Sequence, residues 1–356
     1  MKLTDIDKNF FKKAASADEN WINVKNYPFR VYGVSYDENE QKFVRMPVSV
    51  AKQTNAAVEF LNTYTAGGRL LFATDSNKIS VKCRFPNIEG VGLMAHMPIT
   101  GSNGFSIYVN NNFVGVVYPG WDRFISDKEI EFSATFNISA YEGLKEIKLY
   151  FPLYGNVKEL YVAVEDGASL LPPKKYRDER PIVYYGNSIT QGGCASRPGN
   201  DYESYIERRF NTDFINLGFS GSGKGEQVIA EHITTLNPSI VVMDYDYNAP
   251  DLDFLEKTHY PFYKTIRNAL KDVPIIFITN SHANRPLALK RRKLIKQNYL
   301  RTVKEGDKNT AFINGVRLLG VKDKTACTVD GTHPNDLGFY RMAHGIGAVI
   351  AKFLNK

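Results

Sequence analysis

The run Ile182-Val183-Tyr184-Tyr185-Gly186-Asn187-Ser188-Ile189-Thr190-Gln191-Gly192-Gly193-Cys194-Ala195-Ser196-Arg197-Pro198-Gly199 decides the fold of this 356-residue chain. Its first four residues are apolar and β-branched or aromatic, the pattern of a buried strand, and the strand stops at Gly186. Ser188 follows directly, then glycines, then a helix-like segment over 201–210. In an open α/β sheet, the carboxyl end of a strand is where reactive groups are presented. Far downstream, Asp330-Gly331-Thr332-His333-Pro334-Asn335 sets an Asp three residues before a His. Ser, His and Asp are the parts of an activated nucleophile: attacker, base, and the group that orients the base.

Outward from that run the pattern is strand, helix, strand. Further strands are predicted over 213–217, 239–244, 274–279 and 311–314. Helices are predicted near 201–210, 224–236, 252–271 and 286–304, with a closing amphipathic one over 335–355. This alternation implies a parallel sheet covered by helices on both faces. Towards the N-terminus the signals are short strands with period-two alternation: 70–74, 79–85, 105–109, 113–118, 130–136, 147–151 and 157–164. Asn110-Asn111-Asn112 supplies a turn that tolerates positive φ. An all-β, jelly-roll-like sandwich is therefore expected over 1–165. Paired prolines and a charge run make 166–180 read as a linker, leaving 181–356 as the α/β domain.

Composition narrows the class. A hydrophobic content of 43% and a charged content of 23% are those of an ordinary folded protein. The net charge of +7 has its densest run at Lys290-Arg291-Arg292-Lys293, within a segment patterned as an amphipathic helix, so a solvated helix face is expected there. No nucleic-acid motif accompanies it. Cys83, Cys194 and Cys327 are widely spaced, and no CxxC or His/Cys cluster suggests zinc. Asp244 and Asp246 lack partner carboxylates at metal-ligand spacing, so neither metal nor cofactor is expected. Met1–Lys8 lacks the apolar core of a signal peptide, and no stretch reaches the ~18–20 apolar residues of a membrane span. A soluble, cytoplasmic protein without membrane or nucleic-acid partners is expected.

Four features at strand ends correlate. Gly186-Asn187-Ser188 closes the first α/β strand. Asn216-Leu217-Gly218-Phe219-Ser220-Gly221-Ser222-Gly223 closes the second, with backbone N–H groups that can face a ligand. Asp244-Tyr245-Asp246-Tyr247-Asn248 closes the third and offers an amide. The last loop holds Asp330 and His333. Successive parallel strands bring such loops to one crevice.

With these motifs the catalytic half resembles the SGNH (GDSL-type) hydrolase family and its flavodoxin-like three-layer α/β/α sandwich. The run from Ser188 to Gly199 is similar to a branch in which a β-sandwich with a Gly-x-Asp-Leu-Tyr signature comes first. Gly104-Phe105-Ser106-Ile107-Tyr108 falls at a fitting place, with Ser for Asp and Ile for Leu. The resemblance implies Ser188 as nucleophile, His333 as general base and Asp330 as its orienting partner. It also implies an oxyanion hole made by the backbone N–H groups of Ser188 and Gly221 and the side-chain amide of Asn248. Two departures stand out: Asn187 replaces the Asp of the family name, and the third motif lacks the usual Gly-x-Asn-Asp form.

The chemistry agrees with these roles. A serine hydroxyl attacks at neutral pH only when a base takes its proton, and an imidazole can both take it and return it to the leaving alcohol. His96, His232, His259, His282 and His344 have no such sequence partner and read as structural or surface residues. Cys194 reads as a packed wall residue, and Trp121 as either a lining residue of the active-site mouth or a sandwich-core residue. The expected function is a serine esterase acting through an acyl-enzyme on a small-molecule ester, with a short acyl group on a sugar or glycoside as the favoured substrate. The alternatives are an acyltransferase, a lipase or thioesterase with the same triad, and a carbohydrate-binding protein with a weak catalytic half.

Overall fold

The computed structural model describes residues 14–16, 18–86, 94–120, 130–282 and 285–354; Trp121 lies outside them. The N-terminal half is two antiparallel sheets packed face to face. One runs in the spatial order Ile22–Asn23, Glu159–Val164, Lys78–Phe85, Ile130–Asn137. The other runs Leu170–Leu171, Arg69–Thr74, Lys145–Tyr150, Phe105–Val109, Asn112–Val117, with Arg30–Tyr32 also paired to Arg69–Thr74. The strand Lys78–Phe85 shows why. Ile79, Val81, Cys83 and Phe85 fall on one face and are fully buried, while Lys78, Lys82 and Arg84 fall on the other. Leu70, Phe72, Ile107 and Leu149 meet them from the second sheet. Each such side chain contributes about 1.5–3 kcal/mol of burial.

The C-terminal half is a parallel sheet in the order Thr212–Gly218, Asp178–Gly186, Ile240–Asp244, Ile275–Ile278, Thr310–Ile313. Numbered along the chain this is 2-1-3-4-5, the flavodoxin-like order, whose switch point lies between the first and third strands. The inner strands carry continuous apolar runs, 182–185, 240–243 and Ile275–Ile278, because helices cover both faces. Those helices are Tyr202–Phe210, Gln227–Thr235, Leu252–Ala269, Pro286–Lys304 and Asp336–Leu354. Asp201 caps the first of them by accepting from the Ser204 N–H, and Asp251 caps the third through the Phe254 N–H. None of the described helices is long and apolar enough to cross a membrane.

Chain order and packing do not coincide between the halves. Two short helices unforeseen in the sequence, Val48–Thr54 and Ala56–Leu61, pack Ala51, Val58 and Leu61 into the core of the α/β half, together with Tyr64, Leu153 and Tyr154. The segment 166–180, which reads as a linker, is anchored at both ends. Leu170–Leu171 pairs with Ala73 and Thr74, Tyr176 is buried against Arg69, and Asp178 already pairs with Thr212. Its prolines and charges lie on an edge, where an unpaired donor is tolerated.

Buried ions fasten the junction. Arg69 binds Asp213 and the Phe214 carbonyl, and its guanidinium lies 3.8 Å from the Phe214 ring centroid. Glu207 accepts from both Lys148 and Tyr150. Arg45 donates to the carbonyls of Leu61 and Gly218, over the Phe219 ring. Burial pulls Arg45 down to about 9, which still leaves it a cation at neutral pH.

Candidate active site

The first loop folds tightly because its backbone strands touch. A side chain at Gly186 would collide with Thr190 and the Asp244 carbonyl. Asn187 is fully buried: its Oδ1 accepts from Ile189 N–H at 2.7 Å and its Nδ2 donates to the Asp244 carbonyl at 2.8 Å. This accounts for Asn where the family name implies Asp. An ionised carboxylate has no hydrogen for that carbonyl, and it would join the buried carboxyls of Asp244 and Asp246. Burial, and then Asp246, already pushes the Asp244 carboxyl well above its ordinary range.

From this support Ser188 presents its Oγ 2.9 Å from His333 Nε2, and His333 Nδ1 lies 2.6 Å from Asp330 Oδ2. The partners assign the tautomer: Nδ1–H donates to the carboxylate, leaving Nε2 to accept from the serine hydroxyl. The other carboxylate oxygen, Oδ1, accepts the backbone N–H groups of Thr332 and His333 at 2.8 and 2.7 Å. Burial works to raise Asp330, but the His333 side-chain hydrogen bond and these two N–H groups together hold it down at about 2. The base and its orienter are thus locked in one short turn, closed by Val329 N–H to the His333 carbonyl.

The second loop is drawn against the first by Asn216 Nδ2 to the Thr190 carbonyl, Phe219 N–H to the Gly186 carbonyl, and Ser220 N–H to Gln191 Oε1. Gly221 has φ +67° and open space where a Cβ would stand, a backbone conformation that glycine adopts without strain. Among the described residues, the N–H groups of Ser188 and Gly221 donate to no protein acceptor, so both remain available to an oxygen of a bound substrate.

Asn248 is placed differently from the expectation of a free donor. Its amide gives both hydrogens to the second loop, to the carbonyls of Phe219 and Gly223 at 3.0 Å each. It clamps the glycine turn that carries Gly221. Arg291 in turn holds the Asn248 loop through the carbonyls of Tyr247 and Ala249. Part of the basic run Lys290–Lys293 is therefore a buried brace rather than a solvated face, and Arg292 likewise donates to the His282 carbonyl.

Several neighbours had no sequence signal. The sandwich half sends Tyr154, whose hydroxyl donates to the Ser188 carbonyl at 3.3 Å, and Gln191 returns a bond to the Leu153 carbonyl. His96, read from the sequence as structural or surface, is exposed and lies 5.6 Å from His333, centroid to centroid. His282 reaches Thr332 Oγ1 at 3.3 Å. Cys194 is buried beside the triad at φ +77°, its thiol pushed up to about 12 by burial and then by Asp330. A cleft of about 620 Å³ runs beside the triad turn, lined by Ser281, His282, Arg285, Lys324, Thr328 and Gly331 among others.

A doubly wound sheet with a hydrogen-bonded Ser–His–Asp relay at its switch point defines a class, the ester-hydrolysing α/β enzymes. Residues 179–351 match the GDSL-like Lipase/Acylhydrolase family, and residues 19–170 match the N-terminus of the SGNH-hydrolase-type esterases. The chain belongs to the SGNH (GDSL-type) hydrolases, in the branch that carries an N-terminal β-sandwich. Among solved structures it is similar to one described as a GDSL-like lipase from Bacteroides ovatus ATCC 8483, with 28% identity, TM-score 0.82, and coverage of 95% of this chain and 98% of that one. A salicylyl-acyltransferase from a tetracycline biosynthetic pathway shares the fold at 18% identity, with TM-score 0.74 and coverage of 95% and 98%. A family two carbohydrate esterase from Clostridium thermocellum, solved with cellohexaose, does so at 16% identity, with TM-score 0.60 and coverage of 82% and 93%. No curated protein sequence matches at a significant level.

Proposed function

We propose that this hydrolase removes short acyl groups, acetyl foremost, from hydroxyls of a carbohydrate or glycoside, through an acyl-enzyme on Ser188. The observation that carries the reading is the Ser188–His333–Asp330 relay beside two backbone N–H groups that no acceptor among the described residues engages. Ser188 Oγ attacks the ester carbonyl while His333 Nε2 takes its proton. The oxyanion is held by the N–H groups of Ser188 and Gly221, each such donor contributing on the order of 10²–10³ in rate. His333 then gives the proton to the departing sugar hydroxyl. Water, deprotonated by the same nitrogen, releases the acid and restores the serine.

The sugar reading is supported by fold neighbours that include family two carbohydrate esterases, and the cleft beside the triad turn offers Ser281, His282, Arg285 and Lys324 as polar partners for a sugar. A second reading, transfer of the acyl group to another alcohol, uses the same residues and differs only in the final acceptor. The test is hydrolysis of acetyl, butyryl and octanoyl p-nitrophenyl esters and of acetylated xylo- and gluco-oligosaccharides by wild type and Ser188→Ala. Acetate release from the oligosaccharides, lost in the variant, supports the esterase. Preference for octanoyl esters sinks the short-acyl reading, and acylated product from an added alcohol identifies a transferase.

A further inference from the structure

We propose that the enzyme carries a reversible inhibitory site for Zn²⁺, or a cation of the same borderline-soft class, formed by His96, Cys194 and His333. The proposal rests on the reading of His333 as the general base. The ligand atoms of the three side chains all lie within 4.8 Å of one another. They come from three separate segments: His96 from the sandwich half, Cys194 from the loop after Ser188, and His333 from the triad turn. A tetrahedral zinc with Zn–N of about 2.0–2.1 Å and Zn–S of about 2.3 Å needs donors roughly 3.3–3.8 Å apart, so the set must contract by about 1 Å. His96 can supply that movement. It is exposed, and among the described residues its ring makes no hydrogen bond.

A second observation points the same way. Zinc-bound imidazoles characteristically donate their other N–H to a carboxylate, which fixes the ring and its tautomer. His333 already does this, with Nδ1 held 2.6 Å from Asp330. The pair that aims the Nε2 lone pair at a proton aims it equally well at a metal. Two imidazoles and a thiol select Zn²⁺-like ions over Mg²⁺ and Ca²⁺, which prefer oxygen ligands.

The exchange balances simply. Hexaaqua Zn²⁺ sheds its waters as the three side chains and Ser188 Oγ take its tetrahedral positions, the Cys194 thiol releases one proton to solvent as the Zn–S bond forms, and the Nε2 lone pair passes from the Ser188 hydroxyl hydrogen to the metal. Ser188 Oγ, 2.9 Å from that nitrogen, is left at the fourth position with no base to take its proton. Hydrolysis therefore stops until the metal leaves.

Co²⁺ is the optical probe and Zn²⁺ the inhibitor. Full-length wild type and Ser188→Ala, titrated with Co²⁺, are both expected to show a thiolate-to-cobalt charge-transfer band with tetrahedral d–d absorption. Because Ser188→Ala is inactive under the proposed function, the band separates failure of the site from failure of the esterase reading. Ester hydrolysis by wild type is expected to fall with Zn²⁺ and recover with chelator, and Ca²⁺ or Mg²⁺ leaves it unchanged. His96→Ala and Cys194→Gly, the latter suited to the positive φ at that residue, are each expected to weaken the metal at least 10–100-fold, the loss seen for mere supporting partners. Inhibition is scored as the ratio with and without metal in each protein. Absence of the band in wild type overturns the proposal. So does a band that survives in Cys194→Gly, which would assign the thiolate to Cys83 or Cys327, or equal Zn²⁺ inhibition of His96→Ala and wild type.

Discussion

The sandwich and the parallel sheet bury their apolar faces equally well but leave different things at their edges. In the sandwich, two sheets cover one another and antiparallel ladders spend the backbone groups on neighbouring strands. In the α/β half every strand points its carboxyl end the same way, so three loops and the last turn meet at one crevice, and two N–H groups there have no partner among the described residues. Two serines make the contrast concrete. Ser106, on a sandwich strand, is buried with a hydroxyl that finds no partner among the described residues. Ser188, on a strand-end loop, has a base at 2.9 Å. Burial alone makes a serine inert; a parallel sheet's switch point gives it a base and an oxyanion site.

The largest expected effect tests that pair of serines. Ser188→Ala is expected to lower kcat/KM by on the order of 10⁴-fold or more, whereas Ser106→Ala leaves the rate unchanged and alters stability by less than about 1 kcal/mol, since an unpaired hydroxyl is lost. Ester hydrolysis and urea unfolding of both variants decide it, and equal rate losses would erase the distinction between the halves.

Next comes the seam that joins the halves. Arg69→Ala strands Asp213 in a buried setting, and breaking such a pair costs about 3–5 kcal/mol. Urea unfolding followed by both tyrosine fluorescence and circular dichroism is expected to show one transition at lower midpoint. Two separated transitions in wild type would mean the halves fold independently despite Arg45, Arg69 and Glu207.

Asn248→Ala probes a smaller effect. Losing the clamp leaves the Gly223 carbonyl without its partner, while the Phe219 carbonyl keeps the Ser222 and Gly223 N–H groups, a loss of about 1–3 kcal/mol, and it loosens the turn carrying Gly221. A drop in kcat of roughly 10–100-fold with little change in KM is expected, below the 10²–10³ of a direct oxyanion donor. A larger loss, restored by Asn248→Asp or not, would return Asn248 to direct contact with the oxyanion.

The smallest effect is on acid stability. The Asp330 carboxyl is held at about 2 in the folded protein against an ordinary 3.8. A carboxylate depressed on folding adds stability that is complete above its unfolded value and lost as pH falls through the folded one. The Tm difference between wild type and Asp330→Asn is therefore expected to be constant above about pH 5 and to shrink between pH 4 and 2. A difference that grows in that window would contradict the geometry of the turn.

Most of the fold was legible because its signals are local. The inner parallel strands follow from apolar runs such as 240–243 and Ile275–Ile278, and the sandwich strands from alternation of the Lys78–Phe85 kind. The helices Val48–Thr54 and Ala56–Leu61 were not, since Val48 and Val50 are β-branched and both helices are held by tertiary packing on the α/β core. The segment 166–180 misled because composition reports solvent exposure, and an edge strand is exposed while paired. At the site, Ser188, Asp330 and His333 stood out through their places in the strand-end motifs. His96 and Tyr154 approach across the domain seam, where no spacing along the chain records the contact. Asn248 was found as a residue but not as a clamp, because which acceptor an amide meets depends on a loop 25–29 residues away.

The most direct measurement is the covalent state of the enzyme during turnover. Wild type mixed with p-nitrophenyl acetate, quenched in acid within milliseconds to seconds and digested, is expected to carry one acetyl group on the peptide containing Ser188, with none in Ser188→Ala. Turnover with no adduct, or an acetyl group on another residue such as Cys194, would contradict an acyl-enzyme on Ser188.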